Sequence, residues 1–422
     1  MPLKFTRREF LGTAVAAAAA AGIAALPSRV FSQGSPATAN PANAGFTVAN
    51  LEAFAFRVPI ATPRVAVYGS QAFRSAIFVK LTDADGVSGW GESFANWPPF
   101  AAEHRARVVD QVLAPRVKGK KFQNPAQLNL TLTEGVAIQR IKSDERGPFD
   151  QAIAAVDLAA WDLVARRQRM PLFELLAKQF EPRAEMSRSV EVYASGLTST
   201  TIDKFLPRAR ELGINIFKLK IGFDPKDDLK SVLRLRKATG DGSVLRVDVD
   251  QVWTLEEAKV RVKPLENLGL EWIEEPLRAD RPIKEWLEFA SVCSIPIAAG
   301  ENIRGVEDFR TALASGVFAV LQPDIIKWGG FTDALLVAKL VGKAGKRFCP
   351  HYLGGGIGLI ATAHLLAAIG SQEAIELDVS ENPLREMFLE QLPKIKNGRI
   401  QLSRESGLGI EPDLRTLSAF RI

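Results

Sequence analysis

Charged side chains recur at the ends of short apolar segments in the second half of the sequence. These segments are rich in β-branched residues, and nine charged residues stand at or just past their ends: Lys218, Lys220, Asp248, Asp250, Glu274, Glu301, Asp324, His351 and Glu376. A buried charge is costly unless it is paired or bound to a metal, so charges that point into one cavity must compensate each other. Separate solvated loop charges are the alternative, but they would not explain why successive segments each carry one at the same end.

Side-chain alternation along a strand indicates which of these residues point the same way. Lys218 and Lys220 are two positions apart, as are Asp248 and Asp250, so each pair shares one face of its strand. We expect all four side chains to face the inside of the fold.

Three carboxylates from successive segments suggest a metal site. Asp248, Glu274 and Glu301 would form an all-oxygen, triply anionic cluster, which suits Mg²⁺, with Mn²⁺ possible. Zinc is disfavoured because no cysteine or histidine joins the cluster. Ile273 takes the helix-facing position on its strand, so we expect Glu274 rather than Glu275 to point inward. Each carboxylate taken alone could equally belong to a structural salt bridge.

The segments that position these residues alternate with amphipathic helices. Eight strands, of which all but the last are followed by a clear helix, predict an α/β fold of the (β/α)8, TIM-type barrel class, whose active sites lie at the C-terminal strand ends. An open doubly wound sheet is the alternative, but even spacing favours closure, and the sequence has no glycine fingerprint for a dinucleotide. The predicted strands are Val190–Ala194, Ile216–Ile221, Leu245–Asp250, Leu270–Glu275, Ile295–Gly300, Ala319–Asp324, Arg347–His351 and Ala374–Leu377.

The part of the chain before these strands has a different pattern. Strand-like segments lie between residues 46 and 94, and helical periodicity follows between residues 101 and 176. We therefore predict an N-terminal α+β domain over residues 47–186 and a barrel domain with a C-terminal extension over residues 187–422.

The N-terminus has the layout of an export signal. Arg7 and Arg8 precede an apolar, alanine-rich run from about Gly12 to Leu26. We interpret residues 1–33 as a twin-arginine signal and residues 34–46 as a linker, so the protein is expected in the periplasm. A transmembrane anchor is the alternative, but the run is shorter than the ~20 residues that a membrane span needs. No stable membrane insertion is expected once the signal is removed.

Composition excludes several classes of protein. The 422 residues are 47% hydrophobic and 24% charged, which is typical of globular chains and excludes a disordered one, and two cysteines exclude a disulfide scaffold. The net charge is +6, of which +3 lies in the first 33 residues. That segment has one acidic residue, Glu9, and four basic residues: Lys4, Arg7, Arg8 and Arg29. The remainder is close to neutral, so we expect no nucleic-acid binding.

Six segments, in order and suitably spaced, carry a resemblance to a known family. They are Phe217–Gly222, Val247–Gln251, Trp272–Pro276, Gly300–Asn302, Gln322–Gly330 and Pro350–His351. The helix Ala152–Val164, with Asp157 and Trp161, matches a further element before the barrel. From about Phe46 to its C-terminus, the chain resembles the enolase superfamily, specifically its mandelate racemase branch.

The resemblance implies a reaction and a set of roles. Family members bind a carboxylate substrate to a metal and remove the proton α to that carboxylate, giving an enediolate that preorganised cations stabilise. The three carboxylates above would hold the metal. Lys220 would be a general base and Lys218 would contact the substrate carboxylate. Asp324 and His351 would form the second acid/base pair, with Glu376 as a donor or electrostatic partner at the substrate.

One position departs from the family pattern. The family commonly has Asp-x-Asn where this sequence has Asp248-Val249-Asp250. Two ammonium groups beside a divalent cation depress each other's pKa, which would let Lys220 be neutral near pH 7. The extra carboxylate of Asp250 could instead pair with Lys218 or Lys220 and raise the lysine pKa, or it could bind the substrate.

The fate of the enediolate is open. Reprotonation on the opposite face gives a racemase or epimerase, loss of a β-hydroxyl with His351 as the acid gives a dehydratase, and ring opening of a lactone gives a cycloisomerase. We predict dehydration of a hydroxy acid of the sugar-acid type, the commonest outcome in the family for this arrangement, with racemase or epimerase second. The muconate-lactonising branch would have a lysine in place of Asp324 and fits less well.

In this family, loops of the N-terminal domain contact the far end of the substrate. Here these loops are about Pro59–Ala72 and Asn96–Ala101. Packing of the domain interface is the alternative role of their aromatic residues. The candidate contacts are Tyr68, Trp97 and Phe100. Lys327 could pair with the carboxylates or be an ordinary solvated loop lysine.

A periplasmic solute-binding protein is a different class that also fits an exported chain with a charged pocket. Such proteins usually have two similar lobes around a hinge and require no acid/base pair, so an enzyme is favoured. We expect its partners to be a small-molecule carboxylate and, in a homo-oligomer, further copies of the chain.

Overall fold

The computed structural model describes residues 45–66, 69–180, 186–388 and 391–422. The predicted export signal, most of the predicted linker and Tyr68 lie outside these described residues. No helix within the described ranges is both long and apolar enough to cross a membrane.

A four-stranded antiparallel sheet with helices on it forms the N-terminal domain. Its strands, β1 (Phe46–Ala66), β2 (Gly69–Asp83), β3 (Ser88–Ser93) and β4 (Lys121–Phe122), lie in the order β3-β2-β1-β4. The helices are α1 (Ala101–Arg107), α2 (Ala114–Val117), α3 (Pro125–Gly135), α4 (Ala137–Lys142), α5 (Arg146–Arg167) and α6 (Leu172–Phe180), with π-helical residues Val108–Leu113 joining α1 to α2.

The long helix α5 is buried on nearly all sides because it lies against β3. Glycines allow this close approach: a Cβ on Gly91 would lie 2.0 Å from the carbonyl oxygen of Ala155. The same would hold for Gly89, 2.2 Å from the carbonyl oxygen of Ala159. The N-terminal domain is therefore the predicted α+β unit, fixed by one central helix.

Eight parallel strands make the barrel, and each corresponds to a predicted strand. β5 to β11 pair in sequence order. β12 pairs with β5, whose other parallel neighbour is β6. The strands are β5 (Ser189–Leu197), β6 (Ile216–Lys220), β7 (Val244–Asp248), β8 (Leu270–Glu274), β9 (Ile297–Ala299), β10 (Phe318–Leu321), β11 (Arg347–Phe348) and β12 (Ile375–Asp378). The predicted (β/α)8 class is confirmed, and a two-lobed binding protein is excluded by this single barrel.

Helices follow the first seven barrel strands, as predicted. They are α7 (Ile202–Glu211), α8 (Pro225–Thr239), α9 (Leu255–Arg261), α10 (Ile283–Ala290), α11 (Val306–Ala314), α12 (Gly330–Lys343) and α13 (Gly356–Ala368). Thr254 and Glu257 form a capping box at the start of α9. This helix ends at Arg261, and a 3-10 turn, Lys263–Leu265, follows because Pro264 cannot donate a backbone hydrogen bond.

The C-terminal extension connects the barrel to the N-terminal sheet. Its elements are α14 (Pro383–Glu386), β13 (Ile395–Lys396), β14 (Arg399–Gln401), α15 (Leu414–Leu417) and the 3-10 turn Ser418–Phe420. β14 pairs antiparallel with the start of β5. The backbone N–H of Ile422 then donates to the carbonyl oxygen of Ala55 at 3.0 Å, so the chain ends beside β1.

Candidate active site

Strand register places the first site residues side by side. In the parallel pairing of β6 with β7 and of β7 with β8, Lys220 lies opposite Asp248, and Asp248 lies opposite Glu274. All three residues end their strands, which is where barrel enzymes carry their chemistry. Lys218, two residues before Lys220, contacts the same cluster, so the predicted alternation is confirmed.

Lys218 lies at the centre of a buried ion-pair network. Its Nζ donates to Glu274 Oε1 at 2.6 Å and lies 2.9 Å from Glu376 Oε1. Burial opposes the ammonium charge, but the carboxylates of Glu274 and Glu376 outweigh it and hold the pKa of Lys218 well above its usual value. Tyr193 donates its hydroxyl to the other oxygen of Glu376 at 2.7 Å. Lys218 is therefore a fixed cation.

Lys220 pairs with Asp250, which stands at the position where this sequence departs from the family pattern. Its Nζ donates to Asp250 Oδ2 at 2.8 Å and lies 3.9 Å from Asp248 Oδ2. Burial opposes the charge on Lys220, but Asp248 and Asp250 together outweigh it and raise its pKa. The expectation of a neutral Lys220 near pH 7 assumed a bound divalent cation and stays a prediction. Asp250 pairs with Lys220 rather than with Lys218.

The three predicted metal ligands come from adjacent parts of the barrel mouth. Asp248 ends β7, Glu274 ends β8, and Glu301 follows β9. Burial, followed by repulsion from Glu274, raises the pKa of Asp248 to about 7. Within the described ranges, no three acidic, histidine or cysteine side chains lie close enough together to hold a metal ion. Cationic side chains contact two of the carboxylates instead, Lys218 on Glu274 and His351 on Glu301.

Two residues that sequence reasoning missed hold Glu274 in place. Trp272 Nε1 and Gln322 Nε2 both donate to Glu274 Oε2, at 3.2 and 2.7 Å. Both residues lie within quoted family segments, and each stands two positions before a site residue. The signal for them was therefore the same alternation that identified the charged residues.

Glu275 does not follow the alternation that excluded it from the site. It is 2% exposed, and both of its carboxylate oxygens accept from Asn302 Nδ2, at 3.1 and 3.0 Å. Its φ of 39° takes it out of strand geometry. Burial and the charge of Glu301 raise the pKa of Glu275 well above its usual value. Glu274 points inward as predicted, but Glu275 joins the same cluster through Asn302.

His351 and Asp324, the predicted acid/base pair, lie within hydrogen-bond distance of each other. His351 Nδ1 lies 2.8 Å from Asp324 Oδ2, and the backbone N–H of Ile326 donates to the other oxygen of Asp324 at 2.9 Å. His351 Nε2 lies 3.0 Å from Glu301 Oε2. Burial disfavours the imidazolium, but the surrounding carboxylates, led by Glu301 and Glu376, outweigh it and raise the pKa of His351 to about 9.

Lys327 belongs to the site. Its Nζ donates to Glu301 Oε2 at 3.2 Å and to Asn302 Oδ1 at 2.9 Å, and it lies 5.0 Å from the ring centre of Phe94. At 6% exposure it is no solvated loop lysine. Burial raises the pKa of Glu301, but His351 and Lys327 outweigh this and lower it below its usual range.

Some of these groups line a cavity of about 320 Å³. Its charged lining at the barrel mouth includes Lys218, Lys220, Asp248, His351 and Glu376. The rest of its lining is rich in hydroxyl groups. These come from Thr62, Ser195, Thr198, Thr200, Thr201 and Ser380. The volume is at the lower end of the roughly 300–1,000 Å³ found for small-molecule sites.

The N-terminal domain reaches this cavity, but not through the predicted aromatic residues. The predicted loop Pro59–Ala72 is largely the β1–β2 hairpin, and its residues Thr62, Pro63 and Arg64 line the cavity. Trp97 and Phe100 do not line it and are 37% and 61% exposed. Sequence reasoning missed Arg64 and also Asp378, although Asp378 stands two residues past Glu376.

Comparison with known proteins agrees with this architecture. Residues 202–416 match the family model described as enolase C-terminal domain-like, and residues 50–177 match the mandelate racemase/muconate lactonizing enzyme N-terminal domain. The chain is 32% identical over 346 residues to the L-talarate/galactarate dehydratase of Salmonella typhimurium (strain LT2), covering 79% of this chain and 79% of that protein.

Solved structures give the same result. A mandelate racemase/muconate lactonizing enzyme from Bordetella bronchiseptica RB50 is 42% identical, with a TM-score of 0.80 over 89% of this chain and 99% of that one. A racemase from Streptomyces coelicolor A3(2) with bound magnesium shares the fold at 24% identity, with a TM-score of 0.78 over 89% of this chain and 100% of that one. The chain therefore belongs to the mandelate racemase/muconate lactonizing enzyme family of the enolase superfamily.

Proposed function

We propose that this protein removes the proton α to the carboxylate of a hydroxylated sugar acid with the help of Mg²⁺, and then expels the β-hydroxyl as water. One observation carries this proposal. Lys220 and His351 open onto the same small cavity, and Asp324 supports His351 from behind at 2.8 Å. Two acid/base groups in one cavity are what proton removal and hydroxyl loss require.

The donor set fits a hard divalent cation. Asp248, Glu274 and Glu301 are the ligands we propose, because carboxylate oxygens suit Mg²⁺, with Mn²⁺ possible. The raised pKa of Asp248, caused by burial and by Glu274, reflects crowding of negative charge that a cation would relieve. When bound, the metal would stabilise negative charge on the substrate carboxylate. Members of the superfamily bind Mg²⁺, as in the Streptomyces coelicolor racemase.

The chain's own cations are arranged for the rest of the chemistry. Lys218 is held charged by Glu274 and Glu376, so it can bind a substrate carboxylate and stabilise the charge that develops there. Lys220 accepts the α-proton in its neutral form. Since Asp250 favours its ammonium form, Lys220 must release a proton before each turnover.

His351 is placed to complete the reaction. Asp324 accepts from Nδ1, which fixes the ring orientation, while Nε2 lies 3.0 Å from Glu301 Oε2 and is the nitrogen left to transfer a proton. From Nε2 the imidazolium donates a proton to the departing hydroxyl, and the C–O bond breaks as the enediolate collapses. The hydroxyl-rich lining and the dehydratase relative favour this outcome over the others. A racemase or epimerase is the second candidate, because Lys220 and His351 could equally serve opposite faces of one carbon.

A substrate panel in deuterated solvent tests the proposal. Aldonic, aldaric and amino acids are incubated with the Mg²⁺-loaded enzyme, and both dehydration and deuterium incorporation at the α-carbon are measured. We expect dehydration of at least one sugar acid, abolished by chelation. Deuterium incorporation with inversion and no dehydration would indicate the racemase instead, and no α-exchange with any acid would contradict the proposal.

We also propose that residues 1–33 direct export through the twin-arginine route. Arg7→Lys combined with Arg8→Lys should leave the protein in the cytoplasm with unchanged activity in lysate, because this route reads the paired arginines. Lys4→Arg is the matched control and should leave export intact. Fractionation of cells measures both, and periplasmic protein in the double variant would contradict the proposal.

A further inference from the structure

A buried arginine lies inside the barrel, below the residues of the candidate site. Arg246 stands two positions before Asp248 on β7, so its side chain points to the same interior. It is 2% exposed, and its Nε donates to Glu271 Oε2 at 2.6 Å. Its Nη1 is also buried and has no hydrogen-bond partner among the described residues. Because a buried cation is costly unless it is compensated, the ion pair with Glu271 leaves part of the guanidinium in need of another partner.

Two aromatic rings provide that compensation. The central carbon of the Arg246 guanidinium lies 3.8 Å from the ring centre of Trp272 and 4.4 Å from that of Tyr193. The two rings are nearly perpendicular, at 86°, with their centres 6.2 Å apart. Both are fully buried. The electron-rich face of an aromatic ring attracts a cation at such distances, and the attraction is strongest where water is excluded.

The polar ends of the same two rings contact carboxylates of the candidate site. Trp272 Nε1 donates to Glu274 Oε2 at 3.2 Å, and Tyr193 donates its hydroxyl to Glu376 Oε2 at 2.7 Å. Within the described ranges, no hydrogen bond or ion pair joins Arg246 itself to either carboxylate. One cation therefore lies behind two hydrogen-bond donors, each of which orients a different carboxylate.

We propose that Arg246 is a positioning residue that holds the rings of Trp272 and Tyr193, and through them Glu274 and Glu376, in the orientation that the site requires. A cation over a ring face also draws electron density from the ring, which makes its N–H or O–H group a stronger donor. Resting on the proposed function, in which Glu274 is a Mg²⁺ ligand, this role makes the affinity for Mg²⁺ depend on Arg246 although Arg246 is not among the ligands.

A purely structural role is the alternative. Glu271, the partner of Arg246, also accepts from Arg347 Nη2 at 2.9 Å, and Arg347 pairs in turn with Glu373. This chain of ion pairs ties neighbouring barrel strands together, and breaking it would lower stability without any effect on the site. The two roles differ in one measurable respect, because only the positioning role changes the Mg²⁺ affinity of the folded protein.

Calorimetric titration of the full chain with Mg²⁺, together with thermal unfolding, tests this difference. Arg246→Met removes the charge and should weaken Mg²⁺ binding about tenfold, as loss of an outer-shell partner of a metal ligand does. Arg246→Lys keeps a charge for Glu271 but cannot lie flat against the rings, so we expect it to recover thermal stability and not Mg²⁺ affinity. Arg105→Met is the matched control, because Arg105 is a comparably buried arginine of α1. It should lower the melting temperature and leave Mg²⁺ affinity unchanged.

A double-mutant cycle shows whether Arg246 acts through Trp272. Trp272→Phe removes the indole N–H that contacts Glu274 and should also weaken Mg²⁺ binding about tenfold. Combined with Arg246→Met, it should cost little more than either change alone, because both act on the same hydrogen bond. Combined with Arg105→Met, it should bind Mg²⁺ as Trp272→Phe alone does. If Arg246→Met does not fold, Arg246→Lys takes its place in the cycle with the same expectation.

Two results would overturn the positioning role while the proposed function stands. One is wild-type Mg²⁺ affinity in a folded Arg246 variant, whatever its melting temperature, and the other is additive losses in the double variant. A wild-type protein that does not bind Mg²⁺, or a Glu274→Gln variant that binds it unchanged, would overturn the proposed metal site and the positioning role with it.

Discussion

Buried carboxylates occur in two regions of this molecule, and a pair from each region shows opposite pKa shifts. At the barrel mouth, Glu301 and Glu376 face lysine and histidine side chains that lower their pKa values despite burial. At the contact between the N-terminal domain and the barrel helices, Glu92 and Asp157 are equally buried, but burial raises the pKa of each to about 7.

The partners of these carboxylates explain the difference. Glu92 accepts from the backbone N–H groups of Gly355 and Gly358 at the start of α13, and Asp157 accepts from Thr332 and Asn129. Such neutral donors stabilise a carboxylate less than an opposite charge does. Glu301 and Glu376 are therefore kept ionised by cations, whereas Glu92 and Asp157 between the domains are held by dipoles.

The largest expected effect comes from substituting the two proposed acid/base groups at the barrel mouth. His351→Asn should lower dehydration by about 10²–10⁴-fold yet still allow α-deuterium exchange, because Lys220 remains to remove the proton. Lys220→Met should lose both activities. Single-turnover dehydration and NMR detection of exchange measure them; loss of exchange in His351→Asn with exchange retained in Lys220→Met would reverse the two roles.

The proposed metal ligands give the second comparison, within the barrel mouth. Glu274→Gln should weaken Mg²⁺ binding by more than about 100-fold, since it would remove a proposed direct ligand, and loss of an outer-shell partner alone costs about 10–100-fold. Glu275→Gln should cost roughly 10–100-fold, because Glu275 acts through Asn302 on Glu301. Calorimetric titration with Mg²⁺ measures both. Equal affinities in the two variants would show that Glu274 is not a ligand.

The smallest effect concerns the carboxylates between the domains. Glu92 and Asp157 hold a proton more tightly in the folded chain than in the unfolded one, so their contribution to stability is lost as pH rises toward and through about 7. Glu92→Gln should remove about 1–1.5 kcal/mol of this pH dependence between pH 6 and 8. Denaturant unfolding at several pH values measures it.

Glu376→Gln is the variant from the barrel mouth with which Glu92→Gln is compared in that experiment. The pKa of Glu376 is lowered, because the cations around it outweigh burial, so its contribution to stability is lost only as pH falls below the usual range of a glutamate. Measured in a His351→Asn background, which removes the imidazole whose pKa Glu376 raises, this substitution should leave the slope between pH 6 and 8 unchanged. A changed slope for Glu376→Gln in that background, or an unchanged one for Glu92→Gln, would contradict the contrast between the two regions.

Local rules were sufficient to predict much of this site from the sequence. Strands alternate their side chains with a period of two, and parallel barrel strands end on the same side. Those two facts placed Lys218, Lys220 and Asp248 in one cluster, and the family segments added the pairing of Asp324 with His351. The same alternation, extended by one step past Glu376, would have found Asp378.

Other features were decided only by the tertiary structure. Glu275 joins the cluster because its backbone leaves strand geometry just after β8, where alternation no longer holds. Arg64 reaches the cavity from a hairpin more than a hundred residues earlier in the chain, and no local pattern predicts that approach. Burial lowers the pKa of Lys220, but the carboxylates of Asp248 and Asp250 lie close enough to raise it overall. Those distances are set by the packing of neighbouring strands. Sequence determines which groups each strand presents, whereas packing of distant segments decides which charges face each other and so which of them ionise.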